Sequence, residues 1–216
     1  MLKGFMLTIK ICGLTTLDDA RFAVEQGATY LGFVLYRQSP RSVTPKHLNR
    51  IISKLPRGVR AVGVFVNEDP AVVRQVVDDC GLYAIQLHGD EAPEGFTGMP
   101  VPIWRAVRMK EGVWLPNPEG WRPELYVMDA ASEGYGGSGV AVDWEAAAGF
   151  AAQHRSLLAG GLTPENVGEA IEKVHPAGVD VSSGVELSPG RKDHKKILEF
   201  IYAAQKAAKY AMKDEA

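Results

Sequence analysis

The sequence predicts a single (βα)8 barrel, an α/β domain of eight parallel strands spanning residues 1–216. Short β-rich runs alternate with polar segments of helical period, which is the mark of a parallel sheet with right-handed crossovers. Eight such units in about 210 residues fit a closed barrel better than an open sheet. The turn after the first run also lacks the G-x-G-x-x-G pattern of a doubly wound dinucleotide fold.

The strands are predicted at Leu7–Ile11, Tyr30–Leu35, Ala61–Val66, Ala84–Leu87, Ile103–Val107, Leu125–Met128, Ser156–Ala159 and Val179–Val181. Thr16 opens the first helix, ahead of Leu17-Asp18-Asp19 and the apolar spacing Ala20, Phe22, Ala23, Val24. Thr44-Pro45 opens a second, running to about Lys54, and Asp69-Pro70 a third through Asp79. Glu91–Thr97 is short, and Lys110–Arg122 holds two glycines and two prolines, so it reads as an irregular loop in place of a helix. Asp143-Trp144-Glu145 begins an alanine-rich helix, and Thr163-Pro164-Glu165 another through Lys173. The last helix is expected from Lys192 to Ala211, with Ile197, Leu198, Ile201, Ala204 and Ala208 on one face. Met6 offers an alternative start, which would make residues 1–5 a dispensable N-terminal extension.

The chain has 24 basic against 26 acidic side chains, and its net charge of −2 gives no electrostatic reason to expect nucleic acid or an anionic membrane. No apolar run reaches the roughly 18 residues of a membrane span, and the start lacks a signal-peptide pattern. A cytoplasmic protein with a small-molecule ligand is expected. The two cysteines, Cys12 and Cys80, make neither a disulfide framework nor a metal motif, so free thiols in a reducing compartment are expected.

Active sites of such barrels lie at the C-terminal ends of the strands. Three glycine-rich segments fall there: Gly134-Tyr135-Gly136-Gly137-Ser138-Gly139, then Gly160-Gly161, then Ser182-Ser183-Gly184-Val185-Glu186. Any one of them alone reads equally well as a tight turn. Three together predict main-chain N–H groups converging on a phosphate, with Gly137, Ser138, Gly139, Gly160, Gly161, Ser182, Ser183 and Gly184 as its contacts.

Cys12 ends the first strand in "KICGLT". A lone free cysteine more often packs as a small hydrophobe. Facing an anion site, its thiol is instead expected to have a lowered pKa and to serve as a base or nucleophile. Asp129 ends an apolar strand, where partial desolvation is expected to favour the protonated form and suit it to act as an acid. The bland alternative is an Asp that caps its own loop. Arg41, on the loop after the second strand, offers a guanidinium fork for an acidic ligand group, although most loop arginines are simply solvated. His88 ends the fourth strand as a ligand contact or a partner to one. No metal site is expected from the scattered histidines. Asp180, inside the last strand, either orients a neighbour or is a paired interior residue.

These residues also carry a family likeness. "KICGLT", "SPRSVTP", "VGVFVN", "IQLHGDE", Asp129 with "GYGGSG", "LAGGLTPENV" and "VDVSSGVELSPGRKD" occur in order from about Leu7 to Leu198. Together they resemble the phosphoribosylanthranilate isomerases of tryptophan biosynthesis. The resemblance implies a cofactor-free Amadori rearrangement of N-(5'-phosphoribosyl)anthranilate to 1-(2-carboxyphenylamino)-1-deoxyribulose 5-phosphate. It implies Cys12 as general base, Asp129 as general acid, Arg41 on the anthranilate carboxylate and the glycine loops on the phosphate. Ser138 stands where the family more often has threonine, which keeps the hydroxyl. Members of the family occur as monomers and homodimers. The rival readings are the histidine-pathway isomerase, whose base is an aspartate, and a non-catalytic barrel that binds a phosphorylated metabolite.

Overall fold

The computed structural model describes residues 7–130 and 142–214. The extension expected over residues 1–5 and the predicted phosphate contacts Gly137, Ser138 and Gly139 lie outside the described residues.

Eight parallel strands close into a barrel. They are β1 (Thr8–Ile11), β2 (Tyr30–Val34), β3 (Ala61–Phe65), β4 (Ala84–Leu87), β5 (Ile103–Lys110), β7 (Leu125–Asp129), β8 (Ser156–Leu158) and β9 (Gly178–Val181). Neighbours pair in the order β4-β3-β2-β1-β9-β8-β7-β5, and a β4–β5 pairing shuts the ring. A short strand, β6 (Val113–Leu115), folds back antiparallel onto the end of β5. The segment expected to be irregular over 110–122 is thus partly a hairpin. It pairs Lys110 with Val113 across Glu111-Gly112, both at positive φ.

The first four helices begin where the caps predict. Thr16 accepts from Asp19 N–H ahead of α1 (Leu17–Gln26). Thr44 and Asp69 do the same for α2 (Pro45–Ile52) and α3 (Pro70–Cys80), each with proline at the first helical position. Asp143 caps α4 (Trp144–Ala151). The helix expected from Thr163 begins later, as α5 (Val167–Val174). Here the amide of Asn166 bonds Thr163 N–H at 2.8 Å and Gly161 C=O at 2.9 Å, so residues 163–166 form a turn that ties down the loop after β8. The last helix, α6 (His194–Asp214), starts two residues later than expected. Lys192 is instead taken up by a small two-stranded sheet of β10 (Glu186–Ser188) and β11 (Arg191–Lys192).

Strand alternation divides the core in two. Outward residues such as Ile9, Ile11, Leu31, Phe33, Ile85 and Leu158 pack against the helices, including Phe200 and Ile201 of α6. Inward residues Tyr30, Val62, Ala84, Trp104, Ala106, Leu125, Val127, Leu157 and Ala159 fill the barrel. Burying one such large side chain contributes about 1.5–3 kcal/mol. The same alternation sets which strand-end residues face the barrel mouth: two beyond Lys10 is Cys12, two beyond Gln86 is His88, two beyond Val127 is Asp129, and two beyond Asp180 is Ser182.

Candidate active site

Cys12 follows β1 as a buried thiol, with its N–H bonded to Val181 C=O at 2.8 Å. Gly13 then turns at φ 72°. A Cβ there would stand 2.7 Å from Arg41 Cδ and 2.8 Å from Ser182 Oγ, so the missing side chain is what lets the Arg41 stem cross beside Cys12.

Arg41 is not a solvated loop arginine. It is buried, and its Nε and Nη2 donate to Oε1 and Oε2 of Glu186 at 2.9 and 2.8 Å. Lys192 Nζ donates to the same carboxylate at 2.9 Å and to Ser182 C=O at 3.0 Å. Burial acts to raise the pKa of Glu186, yet the Arg41 and Lys192 cations outweigh it and hold the carboxyl below its ordinary range. Sequence reasoning missed the roles of Glu186 and Lys192, because Glu186 reads only as the end of the loop after the last strand and Lys192 as the start of the last helix.

On the far side of the mouth, Asp129 Oδ2 lies 3.1 Å from His88 Nε2, and its Oδ1 accepts from Ala130 N–H at 2.8 Å. Gln86 Nε2 donates to His88 Nδ1 at 2.9 Å, which leaves Nε2 as the protonated nitrogen facing Asp129. Beneath them Arg105, fully buried, donates to Glu91 Oε2, Leu87 C=O and Gly89 C=O, and so fixes the loop that carries His88. Gln86 and Arg105 were also missed, since an amide and an arginine inside strands read as ordinary strand residues.

Both expected protonation states are corrected by burial and partners. Desolvation pushes the Cys12 thiol up rather than down, with Asp180 adding to the rise and Lys10 and Lys192 only partly opposing it. Desolvation also acts to raise Asp129, but the hydrogen bond from His88, the Ala130 N–H and Arg108 overcome it and hold the carboxyl below its usual value. The resting pair is therefore a thiol and a carboxylate.

Of the other predicted contacts, Gly160 and Gly161 follow β8, while Ser183 and Gly184 lie in a 3-10 turn after β9. A Cβ on Gly184 would overlap the Leu162 carbonyl oxygen, so these two loops are in direct contact. Arg41 and Ser182 gather beside Cys12, and Gly160 beside Asp129. The two groups face one mouth from β1 and β7, three strand spacings of about 4.8 Å apart around the ring.

A family model for N-(5'-phosphoribosyl)anthranilate isomerase matches residues 9–203. The chain is 48% identical over 201 residues to the N-(5'-phosphoribosyl)anthranilate isomerase of Pelobacter propionicus, covering 93% of this chain and 96% of that one. Among solved structures, monomers generated from the dimeric phosphoribosylanthranilate isomerase of Thermotoga maritima align with a TM-score of 0.78 at 38% identity, over 93% of this chain and all of that one. A phosphoribosylanthranilate isomerase in complex with reduced 1-(o-carboxyphenylamino)-1-deoxyribulose 5-phosphate aligns with the same score at 36% identity and the same coverage.

Proposed function

We propose a catalytic cycle on one premise: this chain belongs to the N-(5'-phosphoribosyl)anthranilate isomerase family. It is an isomerase of tryptophan biosynthesis and converts N-(5'-phosphoribosyl)anthranilate to 1-(2-carboxyphenylamino)-1-deoxyribulose 5-phosphate.

Asp129 is the general acid. The furanose ring oxygen leaves only when protonated, so proton transfer from the Asp129 carboxyl opens the ring and leaves an iminium at C1'. Cys12 is the general base. Its thiolate takes the C2' proton, which the iminium has acidified, and the resulting enolamine tautomerises to the ketone. The competent pair of thiolate and carboxylic acid differs from the resting pair by one proton moved from Cys12 to Asp129. Those two states hold the same number of protons, so pH does not alter their ratio. The rate then follows a bell whose acid limb belongs to Asp129 and whose basic limb belongs to Cys12.

Arg41 receives the anthranilate carboxylate. Because Glu186 holds its Nε–Nη2 edge, the substrate is met by Nη1. The contact of the Gly160-Gly161 loop with the Ser183-Gly184 turn supports a phosphate seat there, with Ser182 beside it. The protein is expected to work in the cytoplasm as a monomer or homodimer; no helix among the described residues is long and apolar enough to cross a membrane.

The observation that carries this cycle is that Cys12 and Asp129, both buried, end different strands and face one barrel mouth. The test follows the fluorescence of freshly generated N-(5'-phosphoribosyl)anthranilate with wild type, Cys12→Ser and Asp129→Asn. Loss of about 10²–10⁴-fold in turnover is expected for each variant, the usual worth of general acid–base help. Turnover at the wild-type rate in either variant would remove that residue from the cycle.

A further inference from the structure

Lys10 is the least expected residue of the barrel interior. It is fully buried two residues before Cys12 on the same face of β1. Its Nζ lies 2.7 Å from Asp180 Oδ2, across the β1–β9 ladder in which Lys10 and Asp180 are register partners. A buried ion pair is costly and is weak evidence for stability. Its position calls for another reason.

That reason lies beside Gly32 of β2. A Cβ there would stand 2.7 Å from Cys12 Sγ and 3.0 Å from Lys10 Cε. The end of the lysine and the sulfur therefore share the volume that a side chain at position 32 would take. We propose that Lys10 is the positioning residue for the base: its ammonium, clamped by Asp180, is the counter-charge that lets Cys12 exist as a thiolate inside the barrel. This rests on the reading of Cys12 as the base. Lys10 exchanges no proton. When Cys12 takes the C2' proton it becomes a thiol, and the ammonium keeps its bond to Asp180.

The charges around Cys12 are consistent with this. Lys10 on its own strand and Lys192 of β11 favour the thiolate, while Asp180 of β9 disfavours it. Arg41 and Glu186 neutralise one another nearby, and His88 and Asp129 stand across the mouth. Burial acts against the Lys10 charge, but Asp180 and Cys12 outweigh it, so the ammonium is retained. Asp180 Oδ1 has no hydrogen-bond partner among the described residues, which leaves this carboxylate committed to Lys10 through Oδ2 alone.

The experiment uses the full chain with Cys80→Ser, so that Cys12 is the one remaining thiol. The rate of alkylation by iodoacetamide is measured against pH without substrate, and kcat and KM against pH with it. The variants are Lys10→Met and the double variant Lys10→Met/Asp180→Asn, which removes both charges and carries the test if the single variant does not fold. In Lys10→Met the alkylation midpoint is expected to rise by about one pH unit or more, and kcat at neutral pH to fall about tenfold or more in step, because one unit is tenfold in thiolate. In the double variant both changes keep their direction but are smaller, because losing Asp180 removes a charge that disfavours the thiolate. KM is expected to stay within about threefold, since binding does not need the thiolate. A folded variant with an unmoved midpoint overturns the role of Lys10, even if kcat falls, because a packing defect lowers kcat without changing the acidity of the thiol. If Cys12→Ser turns over like wild type, the base reading falls instead. The midpoint, taken without substrate, keeps the two failures apart.

Discussion

Arg41 and Glu186 are joined edge to edge, Nε to Oε1 at 2.9 Å and Nη2 to Oε2 at 2.8 Å, with both side chains buried. A guanidinium held this way has one rotamer, so the edge left for substrate points in a fixed direction before any substrate arrives. Arg41→Lys is expected to raise KM roughly 10–100-fold, because an ammonium cannot hold Glu186 in a fork and present a second edge. Glu186→Gln should raise KM by a smaller factor and lower the melting temperature, since Arg41 and Lys192 then face each other uncompensated. Steady-state kinetics with the fluorescent substrate decides this; a KM within twofold of wild type for Arg41→Lys would take Arg41 off the carboxylate.

His88 is what keeps Asp129 ionised against burial. Replacing it with alanine should let desolvation win and raise the Asp129 pKa. The acid limb of kcat/KM then moves to higher pH by about a unit or more. A pH–rate profile of His88→Ala whose acid limb stays in place or moves down would show that the carboxyl is held low by something else.

Gly184 abuts the Leu162 carbonyl, and a methyl group there must push the two loops apart. Gly184→Ala is expected to weaken competitive inhibition by inorganic phosphate by about tenfold, the worth of one good hydrogen bond to a charged group. Unchanged inhibition would place the phosphate elsewhere at the barrel mouth.

Arg105 and Glu91 form a buried pair outside the barrel wall, under the ring of Trp121, which lies 4.9 Å from the guanidinium carbon. Arg105→Met leaves Glu91 buried without its cation and is expected to cost about 3–5 kcal/mol in denaturant unfolding. The double variant Arg105→Met/Glu91→Gln should recover part of that loss. Equal stability of the single variant and wild type would show that Glu91 is protonated or re-solvated at no cost.

Acid should destabilise the protein through the same carboxylates that shape the site. Asp129 and Glu186 both have folded-state pKa values below their ordinary ones, so each contributes stability that is full above the unfolded values of about 3.9 and 4.3 and is lost as pH falls through the folded values. Melting temperature should drop steeply below about pH 4 in wild type. The decline should be shallower in Asp129→Asn/Glu186→Gln, and parallel curves would mean that other carboxylates drive acid unfolding.

The sequence by itself determined the barrel, because strand runs, caps and helical spacing are local signals that burial in the final fold reinforces. It also determined which strand ends carry chemistry: Cys12, His88, Asp129 and Ser182 are adjacent to legible strands, and their parity follows from the period of two. The β6 hairpin was not legible, since Glu111-Gly112 makes sense as a turn only once β5 is known to extend to Lys110. Tertiary structure alone decided the protonation states. Burial in the closed barrel raises the thiol of Cys12, His88 at the end of β4 lowers the carboxyl of Asp129, and the Glu186 that grips Arg41 lies 145 residues away in the chain. Lys10 shows the division most plainly. Its spacing from Cys12 is written in the sequence, but the Asp180 that keeps it charged, 170 residues on, becomes its neighbour only when the ring of strands closes.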